Sequence, residues 1–193
     1  MSGLMSRDDI NRALEEHVRR NFPEREIDAC EWRDPPARDA SQEFRALKIA
    51  PPGDVTGLWN YASVSGCVPG QDQIGTLQFI ITTRFDTPRA VDLLARTANY
   101  NRNGRLGMWD TVPVGEPWLP GSSCDHLLLH PPGQFDPNFK ICHVGDRLIE
   151  YAWLLPITTA ERDFRAANGP GALRDKFEEV PPPYWDARRP SSV

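Results

Sequence analysis

Prolines come in clusters along this chain: Pro35-Pro36, Pro51-Pro52, Pro131-Pro132 and Pro181-Pro182-Pro183. Proline lacks a backbone N–H and pushes the residue before it out of the helical region, so each cluster ends the element that precedes it. With 19 prolines and 14 glycines in 193 residues, the breaks leave no room for a bundle of long helices. The spacing predicts short elements joined by ordered loops. The expected fold class is α+β, a mixed, largely antiparallel β-sheet with helices packed on it. One domain is expected over 1–180, followed by a C-terminal tail at 181–193.

The elements can be placed in order. Ser6 caps a first helix whose Ile10, Ala13, Leu14, His17 and Val18 make one apolar stripe, ended by Pro23. Strands are expected within 26–33, around Phe44–Ile49, within 55–66 and at 74–85, the last rich in β-branched and aromatic residues. Thr87-Pro88 opens a second helix with Val91, Leu94, Ala95 and Ala98 on its buried side. Cys124–His130 reads as a strand. Phe139–Val144 and Arg147–Ile157 read as a hairpin turning at Gly145-Asp146, with Trp153 and Leu155 in the core. Thr158 and Glu161 form a capping box for a third helix carrying Ala160, Phe164 and Ala167. A fourth follows, with Leu173, Phe177 and Val180 inward. Beyond Pro183 no periodicity remains, and this stretch is expected to be dispensable for folding.

Charge and composition exclude several functions. Lys and Arg number 22 against 27 Asp and Glu, a net charge of −5, whereas a phosphate-binding surface needs excess cations; no nucleic-acid partner is expected. No apolar run approaches the length of a membrane span, and Met1–Asp9 lacks the apolar segment of a secretory signal. The expected location is cytoplasmic, with no membrane partner.

Cys30, Cys67, Cys124 and Cys142 are dispersed with no C-x-x-C pair and read as buried small hydrophobes. His126 and His130 are four apart on a strand, about 13 Å, too far to share an ion. A cluster of Cys124, His126, Cys142 and His143 is conceivable, but adjacent Cys142 and His143 point to opposite faces. No metal or redox cofactor is expected. Asp125 falls on the strand face opposite Cys124 and His126, against a thiol triad. Neither G-x-x-x-x-G-K-[ST] nor G-x-G-x-x-G occurs. The chain is therefore read as no enzyme, the alternative being an uncharacterised enzyme using Cys124, His126 or His143.

The segment Arg105–Ser123 is a long stretch holding Trp109, Asp110, Glu116 and Trp118 among prolines and glycines. A loop of that length is functional or hides structure. Either the tryptophans plug it onto the core, or one anchors a partner. Trp109, Asp110 and Glu116 are the candidate partner-binding residues, the carboxylates suiting a basic partner.

The runs HLLLHPPGQF at 126–135 and LIEYAWLLPITTAERDFRAANGPGALRDKFEE at 148–179, with VPVGEPWLPGSSCDHLLL leading into the first, resemble suppressor of fused domains. WLLPIT, the A-E-R-x-F after it and the N-G-x-x-A-L helix start are the specific pieces; the order of elements is compatible from about residue 50 to 180. The resemblance implies a binding domain. In animals the founding member clamps a transcription-factor peptide, as a β-strand, between two domains. Bacterial single-domain relatives look like immunity proteins that neutralise a cognate toxin, here a basic toxin domain by charge; a regulatory peptide-binding role is the alternative. Asp110 lies about where the animal protein carries an acidic contact residue. Pro131 and Pro132 stand where an acidic residue is expected after the strand, a departure from the pattern.

Overall fold

The computed structural model describes residues 5–32, 44–53, 57–65, 77–101 and 106–193. Cys67, Arg105 and the start of the strand expected at 74–85 lie outside these residues. The described chain runs α1 (Arg7–Asn21), β1 (Ile27–Glu31), β2 (Arg45–Ile49), β3 (Trp59–Ser63), β4 (Leu77–Thr83), α2 (Pro88–Tyr100), β5 (Thr111–Pro113), β6 (Cys124–His130), a 3-10 turn (Pro137–Lys140), β7 (Ile141–Val144), β8 (Arg147–Thr158), α3 (Thr159–Asn168) and α4 (Pro170–Glu179). The strands form one sheet in the order β1-β2-β3-β4-β8-β6-β5, with β7 also paired to β8. Among the described strands only the β4–β8 pairing is parallel. This is the mixed, largely antiparallel α+β single domain read from the sequence.

β8 explains the layering. Its side chains alternate faces, as strand geometry requires. Ile149, Tyr151, Trp153, Leu155 and Ile157 join one apolar cluster with α1 (Ile10, Leu14, Val18) and α4 (Leu173, Phe177). Ala152 and Leu154 join the other, with α2 (Ala90, Val91, Leu93, Leu94) and Trp118. The sheet is thus the middle of three layers, and Trp153 and Leu155 are core residues, 3% and 0% exposed. Caps hold the helices where the sequence places them: the Ser6 hydroxyl accepts from the Asp9 N–H, and the Thr158–Glu161 capping box is present in both directions.

The long stretch that leads into β6 hides structure, since it contains β5. On α3 Phe164 packs partly buried against the α1/α4 cluster, whereas Ala160 and Ala167 are exposed and the fully buried residue is Glu161, paired with an arginine of the tail. The inward placing of Val180 needs correction: it is 67% exposed, because α4 ends at Glu179 and Val180, its C-cap, has left the helical conformation at φ −135°. Beyond Pro183, the stretch expected to be dispensable, Ala187 and Arg189 are buried against the domain.

Candidate functional site

The stretch around β5 is built onto the edge of β6. The Trp109 N–H donates to Leu129 O at 2.6 Å, and the Leu129 N–H to Asp110 O at 2.9 Å. Two residues therefore face one, a bulge, and Trp109 takes φ 72°, a conformation a bulky residue holds only when packing fixes it. Its ring meets His130 edge-on at 4.7 Å, on the α1/α4 side of the sheet. Asp110 accepts from the Gly107 N–H at 2.9 Å and pairs with Arg165 of α3 at 2.9 Å. Glu116 pairs with Arg89 and Arg96 of α2 at 3.0 and 3.5 Å, and Trp118 is buried on the α2 side. The structure brings Trp109 and Asp110 together and leaves Glu116 on the opposite face.

The second candidate, Cys124-Asp125-His126, is reshaped by a register shift in β6 between Cys124 and His126. The expected alternation of faces fails there: Asp125 Oδ1 lies 2.8 Å from His126 Nδ1, and Oδ2 accepts from the Thr159 hydroxyl at 2.6 Å. Burial pushes the Cys124 thiol up to about 11, so it is protonated at neutral pH and a poor nucleophile. His143 does not join them. His126 sits opposite Ile157 and His143 opposite Leu148 along β8, roughly 30 Å apart at strand rise. The same separation divides Cys124 from Cys142. Among the described residues, no group of three or more His, Cys, Asp or Glu is placed to hold a metal.

Sequence reasoning missed Arg189, through which the tail is fastened at this end of the sheet. Arg189 and Glu161 form a two-pronged ion pair at 2.7 and 2.8 Å, both side chains 0% exposed. Glu161 also accepts the N–H groups of Thr158 and Ser192. Burial pushes its carboxyl up, and these donors more than offset that, leaving it below the ordinary range. The Ser122 hydroxyl donates to Ala187 O, and Ser123 bonds Arg189 O at 3.3 Å. The tail is strapped across the chain that leads into β6.

The opposite end of β8 is open. A cavity of about 720 Å³ lies between α1 and β7, lined by Glu16, His17, Arg20, Lys140, Ile141 and His143 among others. Its neighbour, about 440 Å³, shares Asn21, Pro23 and Asp136 with it and reaches Asn60, Thr82 and Gln134. There the Thr82 hydroxyl donates to Asn60 and accepts from Gln134 and Trp153.

Residues 79–190 match the family model described as suppressor of fused protein, SUFU. The chain belongs to the suppressor of fused family. A putative SUFU homologue from Neisseria gonorrhoeae FA 1090 superposes with a TM-score of 0.81 at 26% identity, covering 96% of this chain and 98% of that one. A structure of the Sufu–Fu complex aligns at TM-score 0.63 and 12% identity over 96% of this chain and 91% of the other. Drosophila Suppressor of Fused aligns at 0.57 and 15% over 78% of this chain and 43% of its own. At those identities the last two speak for the fold alone. No curated protein matches the sequence. The SUFU match spans the segments singled out in the sequence, and it extends beyond α4 to include the strapped tail. No helix among the described residues is long and apolar enough to cross a membrane.

Proposed function

We propose that this SUFU domain is a protein-binding module without enzymatic activity. More specifically, it is a cytoplasmic immunity-type protein that binds and neutralises a cognate toxin with a basic active site. The observation that carries the binding reading is family membership, together with a solved relative that is a complex of Sufu with Fu. The polar groups support it from the other side: the candidate thiol is buried and protonated, its histidine is held by Asp125, and His143 is remote. For the partner face the proposed contacts are Trp109, Asp110 and Glu116. Asp110 and Glu116 keep 40% and 53% of their side chains exposed on the rim of β5, and the −5 net charge favours encounter with a cation-rich surface.

The test is capture of the tagged full chain from its native cell, followed by an activity assay on whatever binds stoichiometrically. A basic partner whose enzymatic activity falls to background when the domain is added in equal amount supports the immunity reading. A partner whose activity is unchanged leaves regulatory peptide binding as the role. Turnover of a small molecule by the isolated domain would overturn the binding reading altogether.

A further inference from the structure

The sheet face under α1 is apolar around Ala62 and Ile80, and then turns polar. Asn60 and Thr82 are cross-strand partners on β3 and β4, two residues from Ala62 and Ile80 and so on the same face. They are 5% and 3% exposed. Buried polar groups on such a face are kept when something satisfies them. The Thr82 hydroxyl is satisfied: it donates to Asn60 Oδ1 at 2.8 Å and accepts from Trp153 and Gln134. Asn60 is satisfied only in part. Its Nδ2 has no partner among the described residues, and it lines the cavity of about 440 Å³.

Donors and acceptors are segregated around that cavity. Arg25 stands with Asn60 on the donor side. Its guanidinium donates to Ala50 O at 2.7 Å, and Ala50 follows Ile49, which pairs with Asn60 across the strands. Half-buried, Arg25 pairs with no described carboxylate. The acceptors come from the opposite loop and the end of α1. Gln134 spends its Nε2 on Thr82 at 3.2 Å, which leaves Oε1. Asp136 takes the Asn138 N–H at 2.8 Å on one oxygen, keeps the other, and pairs with no described cation. Asn21 donates to His17 O at 2.9 Å, which leaves its Oδ1. Among the described lining residues Arg25 and Asp136 carry the only charges, one of each sign. Phe22, Leu58 and Phe135 supply apolar wall. Glu24, at φ 61°, turns the chain between Phe22 and Arg25, a conformation a non-glycine residue holds when its surroundings fix it.

We propose that this cavity binds a free α-amino acid with an apolar side chain. Arg25 and Asn60 Nδ2 receive its carboxylate. Asp136, Gln134 Oε1 and Asn21 Oδ1 receive its ammonium, and Phe22, Leu58 and Phe135 cover its side chain. A zwitterion answers both charges, whereas a ligand of one sign leaves the opposite group without a partner. The interior of a peptide carries neither charge and leaves both. The volume and the mix of apolar wall with a few placed polar groups are those of small-molecule sites. The site is also separate from the rim of β5: it is built on β3 and β4, on the other side of β8 from β6 and β5.

The test is an amide NMR titration of the labelled full chain with L-leucine and with L-phenylalanine. Saturable shifts are expected at Leu58–Asn60, Thr82 and Gln134–Asp136. N-acetyl-leucine lacks the ammonium and leucinamide lacks the carboxylate, so each should bind about tenfold more weakly or worse. Arg25→Gln should weaken leucine by a similar factor and leave leucinamide unaffected. Asp136→Asn should weaken leucine and leave N-acetyl-leucine unaffected. If either variant melts early, the blocked ligands on the unaltered chain decide alone. Absence of shifts with both amino acids, shifts at Arg20 and Lys140–His143 instead, or a blocked form that binds as tightly as leucine overturns the proposal. So does tighter binding of glucose or adenosine at the same residues, which makes a neutral molecule the occupant.

Discussion

Beside the C-terminal half of β8 the sheet continues through β6 to β5, and the way out is closed. Beside the N-terminal half it stops at β7 and stays open. At the β5 end Pro113 has no N–H to offer another strand, Trp109 and Trp118 fold back on opposite faces, and the tail straps the approach to β6. At the β7 end no further described strand follows, the flanking side chains are exposed, and a cavity runs under the helix. Natural sheets blunt edges that must not pair, and here the blunting is confined to the β5 end.

The largest effect should come from the strap. A buried ion pair stripped of one partner leaves an uncompensated charge, at a cost of about 3–5 kcal/mol. Arg189→Met should therefore lower the urea midpoint sharply, as should ending the chain at Pro183. Arg189→Met combined with Glu161→Leu should recover only the part due to the uncompensated charge, because the N–H groups of Thr158 and Ser192 lose the acceptor that Glu161 supplies. Full stability after truncation would show that the strap is not part of the closure.

Next in size is the contrast between the two ends. Trp118→Ala removes a ring that is 3% exposed and should cost about 3–5 kcal/mol. Leu148→Ser alters a 56% exposed side chain and should stay within roughly 0.5 kcal/mol. Equal losses at the two sites would erase the distinction between a sealed and an open edge.

How much of this could be read beforehand follows from range in sequence. Caps and turns are local, so Ser6, Thr87-Pro88, the Thr158–Glu161 box and the Gly145-Asp146 hairpin were legible residue by residue. β8 declared itself because its apolar residues fill both faces. Three-residue β5 did not, since pairing with β6 rather than propensity makes Thr111–Pro113 a strand. The bulge that turns Asp125 toward His126 breaks the alternation on which face assignments depend. Arg189 was invisible: its carboxylate lies 28 positions away, and nothing in a stretch without periodicity marks one arginine as buried. Edge openness is likewise a property of what fails to pair, which no local pattern encodes.

Each end of β8 also shields a histidine from water, His17 fully and His130 in part. His17 lies beneath the β7 groove, bonded to Phe139 O at 3.0 Å. His130 lies beneath Trp109, bonded to Pro131 O at 2.6 Å. Burial lowers both from 6.5. The unfolded chain takes up these protons first, so stability is complete above pH 6.5 and falls as pH drops below it, by at most about 1.4 kcal/mol per pH unit for each histidine. His17→Gln keeps a donor for Phe139 O and should remove one proton's share of the slope in urea titrations run stepwise below pH 6.5. An unchanged slope would assign the acid loss to carboxylates such as Glu161.

The smallest effect on stability, and the most telling for the proposed partner, belongs to the rim of β5. Asp110→Asn with Glu116→Gln keeps the shapes and removes both charges. The partly exposed pairs with Arg165, Arg89 and Arg96 are each worth about 0.2–1 kcal/mol, so the melting curve should move little. If a basic partner docks on this rim, its association should slow and lose much of its salt dependence, with dissociation less affected. Neutral replacements are the sharper choice here, because lysines at these positions would face Arg165, Arg89 and Arg96 and confuse repulsion within the domain with repulsion from the partner. Unaltered association would make both carboxylates struts between β5 and its flanking helices. The partner's footprint would then be sought away from β5.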